Sequence, residues 1–435
     1  MRAQFCGALV LLGTVVAAPF AQAGEFNAKS LLTGERAAGL GGAYVALSDD
    51  SSGMFYNPAG LVHADDLNAS ASVNLISSTV TKYDNVFGNN GYQRESLEIV
   101  PGLVGGIKRI GRVTLGASVV VIDSLNEDQS EDFENVVIGS DPMYDRLLVQ
   151  NDYRARTYNL GLSAAWPLTK KLSFGTTLYL HYKDKDASLL QRASRQMQNS
   201  TAGQDSTAIV ISATSEDSEY GLKPTIGLQY RGQRLSIGLA ASRVYPFNRE
   251  YRYSFIGDAQ TPDQNLALSY IDTSDQGLNG PWELSAGFAW LGESGMVTSL
   301  QVDFIEARST AASVNPGRVP PRDMETDSVV NVALGIETPW GTNWRSRIGL
   351  YTNFANNEVD EAALFERREE IDMYGLTLSL SRIKDGASIW TVGAQLAVGD
   401  GKASLGDIGF GGAAASNTAV DAKRQRLNIF VSTGF

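Results

Sequence analysis

The sequence predicts an all-β fold, a 14-stranded antiparallel transmembrane β-barrel with an N-terminal hatch in its lumen. Three observations predict it. Segments of about 11–13 residues alternate apolar and polar side chains from Leu67 to the C-terminus. The connections between them alternate short and long. The last segment, Arg424 to Phe435, closes on an aromatic residue. A strand between lipid and a wet lumen needs this period of two, and outer-membrane barrels join their strands by short periplasmic turns and long outer loops.

The N-terminus reads as a leader. Arg2 precedes an apolar run from Ala8 to Phe20, and Ala21-Gln22-Ala23 is an A-x-A cleavage site before Gly24. Residues 1–23 are therefore expected to be a secretory signal peptide, short for a span of about 20 residues. The single cysteine, Cys6, falls inside it, so thiol and disulfide chemistry are excluded from the mature chain. Composition fits a barrel: 435 residues, 19% charged, 44 glycines, and no composition shift or linker after the first 66 residues. A formal charge of −12 excludes a nucleic-acid partner, which needs a basic face.

The expected strands are 67–79, 99–109, 111–123, 154–166, 171–183, 219–231, 234–244, 281–291, 295–306, 327–338, 343–354, 371–382, 387–398 and 424–435. The eighth sets Trp282, Leu284, Ala286, Phe288 and Trp290 against Glu283, Ser285, Gly287 and Ala289. The second is the weakest, since Pro101, Gly102, Gly105 and Gly106 predict a bend, bulge or lost pairing. Arg345 and Arg347 share one parity and must face inward or the periplasmic rim, because a charge facing mid-bilayer lipid costs roughly 2–4 kcal/mol. Trp166, Trp290, Trp340, Trp344 and Trp390 fall beside tight turns, as a periplasmic aromatic girdle should. Residues 80–98, 124–153, 184–218, 245–280, 307–326, 355–370 and 399–423 are expected to be polar outer loops. Asp123, Glu127, Asp128, Glu131, Asp132 and Glu134 make the second of these a solvated acidic loop, and Asp360 to Glu370 reads as a short mixed-charge helix.

Residues 24–66 do not read as a membrane strand. They hold Gly34-Glu35-Arg36-Ala37-Ala38-Gly39-Leu40-Gly41-Gly42-Ala43-Tyr44-Val45-Ala46, then Asp49-Asp50, then Tyr56-Asn57-Pro58-Ala59-Gly60-Leu61. Small residues allow close backbone contact and Asn-Pro favours a turn, so this segment is expected to plug the lumen of the barrel at 67–435.

This run resembles the N-terminal hatch of the FadL-type outer-membrane channels for hydrophobic compounds, which include fatty-acid and toluene transporters. The resemblance implies a passive channel. A ligand is captured among the outer loops, held above the hatch, and released by hatch movement, often sideways where a strand is kinked. It implies hatch or gating roles for Gly39, Gly41, Gly42, Asn57, Pro58 and Ala59. A purely structural turn accounts for the last three equally well. Related barrels serve secretion systems, so a non-transporting scaffold for a partner is the alternative. An open porin is a third reading, disfavoured by the hatch.

The residues offer one ligand-binding candidate. Tyr245, Phe247, Tyr251 and Phe255 could bury an apolar ligand, with Arg249 or Arg252 pairing a carboxylate head. The same stretch also reads as strand seven continued above the membrane. Catalysis is not expected. His63 and His181 are the only histidines and no nucleophile motif accompanies them. No cofactor or metal site is expected. The expected partners are outer-membrane lipid and lipopolysaccharide, a hydrophobic small molecule, and the barrel assembly machinery acting on the strand that ends in Phe435.

Overall fold

The computed structural model describes Asn27 and residues 31–65, 67–87, 90–136, 144–196, 206–260, 265–275, 277, 279–312, 322–357, 359, 367–384, 387–405 and 419–434. The expected leader and Phe435 lie outside these. Alternation of lipid-facing and lumen-facing side chains builds the wall: Leu162 is 72% exposed and its neighbour Ser163 5%. Fourteen antiparallel strands close into a ring. They are β1 (Leu67–Phe87), β2 (Asn90–Ile110), β3 (Val113–Val136), β4 (Tyr144–Pro167), β5 (Leu172–Gln196), β6 (Ser206–Arg231), β7 (Leu235–Ser242), β10 (Glu283–Leu291), β11 (Val297–Ile305), β14 (Val329–Trp340), β15 (Trp344–Asn353), β16 (Arg367–Lys384), β17 (Ala387–Leu405) and β18 (Val420–Gly434). β18 pairs with β1 from Ser70↔Gly434 to Tyr83↔Ala422, which closes the ring and leaves none of the fourteen strands as an edge. Each of the fourteen expected strands is present.

Aromatic side chains mark both interfaces. Trp166 meets Phe174 edge-on at 5.0 Å and Trp344 meets Trp390 at 5.5 Å, beside the short turns. At the other level Tyr158, Tyr182 and Tyr220 stand in register on β4, β5 and β6, with ring centroids 6.3 and 4.7 Å apart. Tyr220 and Tyr230 lie ten residues apart on β6. At about 3.3 Å per residue and a tilt near 40° that is roughly 25 Å, the height of an outer-membrane apolar band.

The outer loops differ from expectation. Most of them are strand. β3 to β6 run far past the tyrosine belt, and β8 (Tyr245–Gln260) and β9 (Asn265–Ser274) extend the sheet from β6. The lumen-side faces of these extensions bury Leu147, Val149, Leu189, Ile209, Ile211 and Phe255 in one cluster. That burial, with a full ladder of backbone hydrogen bonds, keeps a polar-looking chain extended. The acidic residues therefore lie on β3, where Glu127 is buried against Arg94. Arg367–Glu370, the end of the expected helix, opens β16 instead, and residues 360–366 lie outside the described set. β12 (Arg308–Ala312) and β13 (Arg322–Thr326) form a separate hairpin.

Candidate ligand site and hatch

The hatch contains α1 (Glu35–Gly39), α2 (Gly53–Tyr56) and a 3₁₀ turn (Pro58–His63). It rests on lumen-facing glycines that stand in cross-strand pairs: Gly175 with Gly227, Gly238 with Gly287, and Gly335 with Gly349. A Cβ at Gly238 would lie 2.0 Å from the Val45 carbonyl oxygen, and one at Gly349 2.2 Å from the Gly41 nitrogen. At these glycines the wall presents no side chain to the hatch backbone.

Around this seat, wall amides and hydroxyls satisfy hatch backbone groups. Gln301 Oε1 accepts from the Tyr44 and Val45 N–H groups at 2.9 and 2.8 Å. Gln229 Nε2 donates to the Ala46 and Leu47 carbonyls at 2.7 and 3.1 Å. Ser173 Oγ donates to Ala59 O, Thr177 Oγ1 to Met54 O and Thr377 Oγ1 to Gly39 O, at 2.8, 2.8 and 3.0 Å. A short irregular segment has few internal partners for its polar groups, and burial without them costs free energy.

Five of the six expected hatch residues sit in this contact, and the sixth, Gly42, lines a cavity on the far side of the hatch. Gly39 and Gly41 lie against β15 and β16, and Gly41 and Gly42 have φ of 66° and 85°, which favour glycine. Asn57 Nδ2 donates to the carbonyls of Val45 (2.8 Å) and Leu228 (3.1 Å), while its Oδ1 accepts from Ala59 N–H. Pro58 starts the 3₁₀ turn against Gly175.

On the short-turn side a charged chain fastens the hatch. Arg36 donates to both oxygens of Glu337 and to Asp49 at 2.6 Å, Asp49 pairs with Arg231 at 3.1 Å, and Glu337 pairs with Arg347 at 2.7 Å. Burial alone would raise the Asp49 carboxyl, but Arg36 and Arg231 hold it below its ordinary value. Burial, with Arg231 close by, lowers the His63 imidazole to about 4. These groups surround a polar cavity of 360 Å³ open toward the short turns.

On the other side of the hatch lies a more apolar cavity of 290 Å³. Leu31, Leu32, Phe55 and Tyr56 come from the hatch, and Ile122, Ala240, Ala241, Phe304 and Ile305 from the wall. Its charged groups are Lys223, Glu283 and Asp303.

Beside it the wall is interrupted. β2 and β3 pair from Leu103↔Val120 to Ile110↔Val113 and again at Ser96↔Glu127, but 97–102 and 121–126 form no ladder between them. Pro101 has no N–H to give, and the pairing of β1 with β2 and of β3 with β4 shifts register at the same level. Leu31 of the hatch clusters there with Val100 and Val121 on the two strand margins and with Tyr158 on β4. Glu98 and Ser124 join across the break at 2.7 Å.

The aromatic stretch divides at the register shift that places Tyr220 opposite Asn248 and Gly221 opposite Pro246. Tyr245, Phe247 and Arg252 are exposed, with Phe247 at 63%. Tyr251 and Phe255 are buried on the lumen side. Arg249 pairs in two contacts with Asp217, at 2.7 and 2.9 Å. His181 is buried against Asn159 at 2.8 Å, and His63 lies at the opposite side of the hatch. Sequence reasoning missed Gln229, Gln301, Lys223 and the Arg36–Glu337 contact; glycines and amides at lumen parity on successive strands were the available signal.

A family model described as outer membrane protein transport protein (OMPP1/FadL/TodX) matches residues 14–303. The chain belongs to this family. Its known members are outer-membrane transport channels, and the present barrel has their architecture. A FadL homologue from Pseudomonas aeruginosa superposes with a TM-score of 0.64 at 12% identity, covering 94% of this chain and 99% of the other. The toluene transporter TodX of Pseudomonas putida gives 0.61 at 13%, covering 93% and 98%. The toluene transporter TbuX of Ralstonia pickettii gives 0.57 at 14%, covering 94% and 98%. At these identities the likeness is one of fold. No curated protein matches the sequence.

Proposed function

We propose that this barrel is a passive channel for the uptake of small hydrophobic molecules across the outer membrane. The observation that carries the reading is the apolar cavity resting on the hatch, whose Leu31 also reaches the break between β2 and β3. An apolar solute crosses the polar outer leaflet poorly and gains nothing from a water-filled pore. Burying roughly 150 Å² of apolar surface in such a cavity would contribute about 4 kcal/mol. In this reading Tyr251 and Phe255, buried on the lumen side, are the candidate aromatic residues for a solute.

Release in this reading is sideways. The hatch is hydrogen-bonded to the wall on many sides, so displacing it whole would break many buried contacts at once. Displacing Leu31 from Val100 and Val121 would open the cavity toward the 97–102 and 121–126 margins. Solute then moves down its gradient into the membrane with no energy source. The same reading has the chain exported by a leader ending at Ala23 and inserted through its terminal strand by the barrel assembly machinery.

Uptake of labelled toluene, oleate and a sugar in cells with and without the gene tests this. Faster uptake of an apolar compound, and not of the sugar, is expected when the protein is present. Equal uptake of every apolar compound by both strains would overturn it.

A further inference from the structure

We infer that the cavity above the hatch admits neutral molecules and rejects carboxylates, and that Glu283 sets this choice. The inference rests on the cavity being the channel's binding site. Three charged side chains line the cavity, and two are acids. The one cation is occupied: Lys223 Nζ donates to both Glu283 oxygens, at 3.0 and 2.8 Å. β7 stops between them, and Ser242 at its end donates to the same carboxylate at 3.0 Å. Asp303 Oδ1 accepts from Ser285 Oγ at 2.5 Å and from Gln301 Nε2 at 2.8 Å.

Exposure orders the pair. The Lys223 side chain is 6% accessible and that of Glu283 41%, so the carboxylate stands toward the cavity and the ammonium behind it. An acid head group entering here meets the Glu283 carboxylate first, with buried Asp303 adding negative charge behind it. It reaches Lys223 only by displacing Glu283 from a bidentate contact, leaving one carboxylate unpaired beside apolar walls, which is unfavourable. A hydrocarbon or an alcohol meets no such penalty, and a hydroxyl can donate to the Glu283 carboxylate.

The test compares 1-octanol with octanoate, equal in chain and different in head group. Each is measured for equilibrium binding to the purified detergent-solubilised barrel at pH 8. Octanoate should bind at least tenfold more weakly than octanol. In Glu283→Gln the ammonium is released, so octanoate should gain about tenfold or more while octanol changes little. Adding Lys223→Met should remove that gain. Asp303→Asn, which keeps the Lys223–Glu283 contact, should give a smaller gain. Equal binding of the two compounds by the unaltered barrel, or an unchanged ratio in both single variants, would overturn the inference alone. No binding of either compound to any form would overturn the channel reading, and this inference with it.

Discussion

Arg36 on the hatch and Glu337 on β14 meet through two hydrogen bonds of 2.9 and 3.1 Å, and Glu337 also holds Arg347 at 2.7 Å. One buried wall carboxylate thus serves a hatch cation and a wall cation together. Glu337→Ala leaves Arg347 buried without that carboxylate, and losing one partner of a buried pair costs roughly 3–5 kcal/mol. The barrel ladder is untouched, so the loss should fall on the hatch. Single-channel conductance should rise and the hatch should become cleavable by periplasmic-side protease, while the heat-modifiable barrel band persists. A silent, protease-resistant variant would show that the glycine seat alone holds the hatch.

The same region should be acid-sensitive. His63 is lowered to about 4 by burial first and then by Arg231, with Arg109 adding and Asp49 opposing. A histidine whose folded value lies below its ordinary 6.5 binds its proton less well folded than unfolded, so stability falls as pH drops from about 6.5 toward 4. Asp49, held below its ordinary value, adds a loss at lower pH still. Asp50, raised by burial, acts in the opposite sense. Hatch protection against protease should therefore weaken between pH 6.5 and 4, and His63→Gln should flatten that slope. A profile that the substitution leaves unchanged would assign the effect elsewhere.

The glycine seat makes a steric prediction. At Gly287 an added Cβ would lie 2.5 Å from Val45 Cγ1, 3.0 Å from the Ala46 nitrogen and 3.3 Å from Ala46 Cβ. Overpacking of this kind costs typically 1–3 kcal/mol. Gly287→Val should loosen the hatch as Glu337→Ala does, whereas Gly232→Ala, whose nearest new contact is 3.4 Å away, should not. Equal behaviour of the two variants by conductance would remove the seat from the account.

The wall was legible because lipid and lumen demand opposite polarity at every second residue, as Leu284 and Ser285 show. The outer extensions were not, since above the membrane no lipid marks one face. Leu189, Ile209 and Ile211 look sparse among Ser, Thr and Gln until the opposite sheet closes on them. Pro101 announced the break in β2, but only the β3 ladder shows how far it extends. The Lys223–Glu283 pair depends on where β7 ends, and its partners are sixty residues apart, beyond any local pattern. Tyr245 and Tyr251 share a parity in sequence yet face opposite sides, because the register shift near Phe247 reverses it.

The break itself offers the sharpest test of sideways release. Cys6 is the chain's single cysteine, so a pair introduced into a Cys6→Ser background can be bridged without competition. Leu31 touches the Val100–Val121 cluster, and a short thiol-specific crosslinker between Leu31→Cys and Val121→Cys would hold it there. Uptake of an apolar solute should stop on crosslinking, return on cleavage of the linker, and leave equilibrium binding in the cavity unchanged. Opening the break should do the reverse. Ser124→Ala removes the 2.7 Å bond to Glu98, and a hydrogen bond to a charged group contributes about 1.5–3 kcal/mol. If that bond closes the break, its loss should raise the release rate by about tenfold or more. Unimpaired uptake by the crosslinked protein would place the exit elsewhere, and the polar cavity beneath the hatch, lined by Arg36, Asp49 and Arg231, would then be the next route to block.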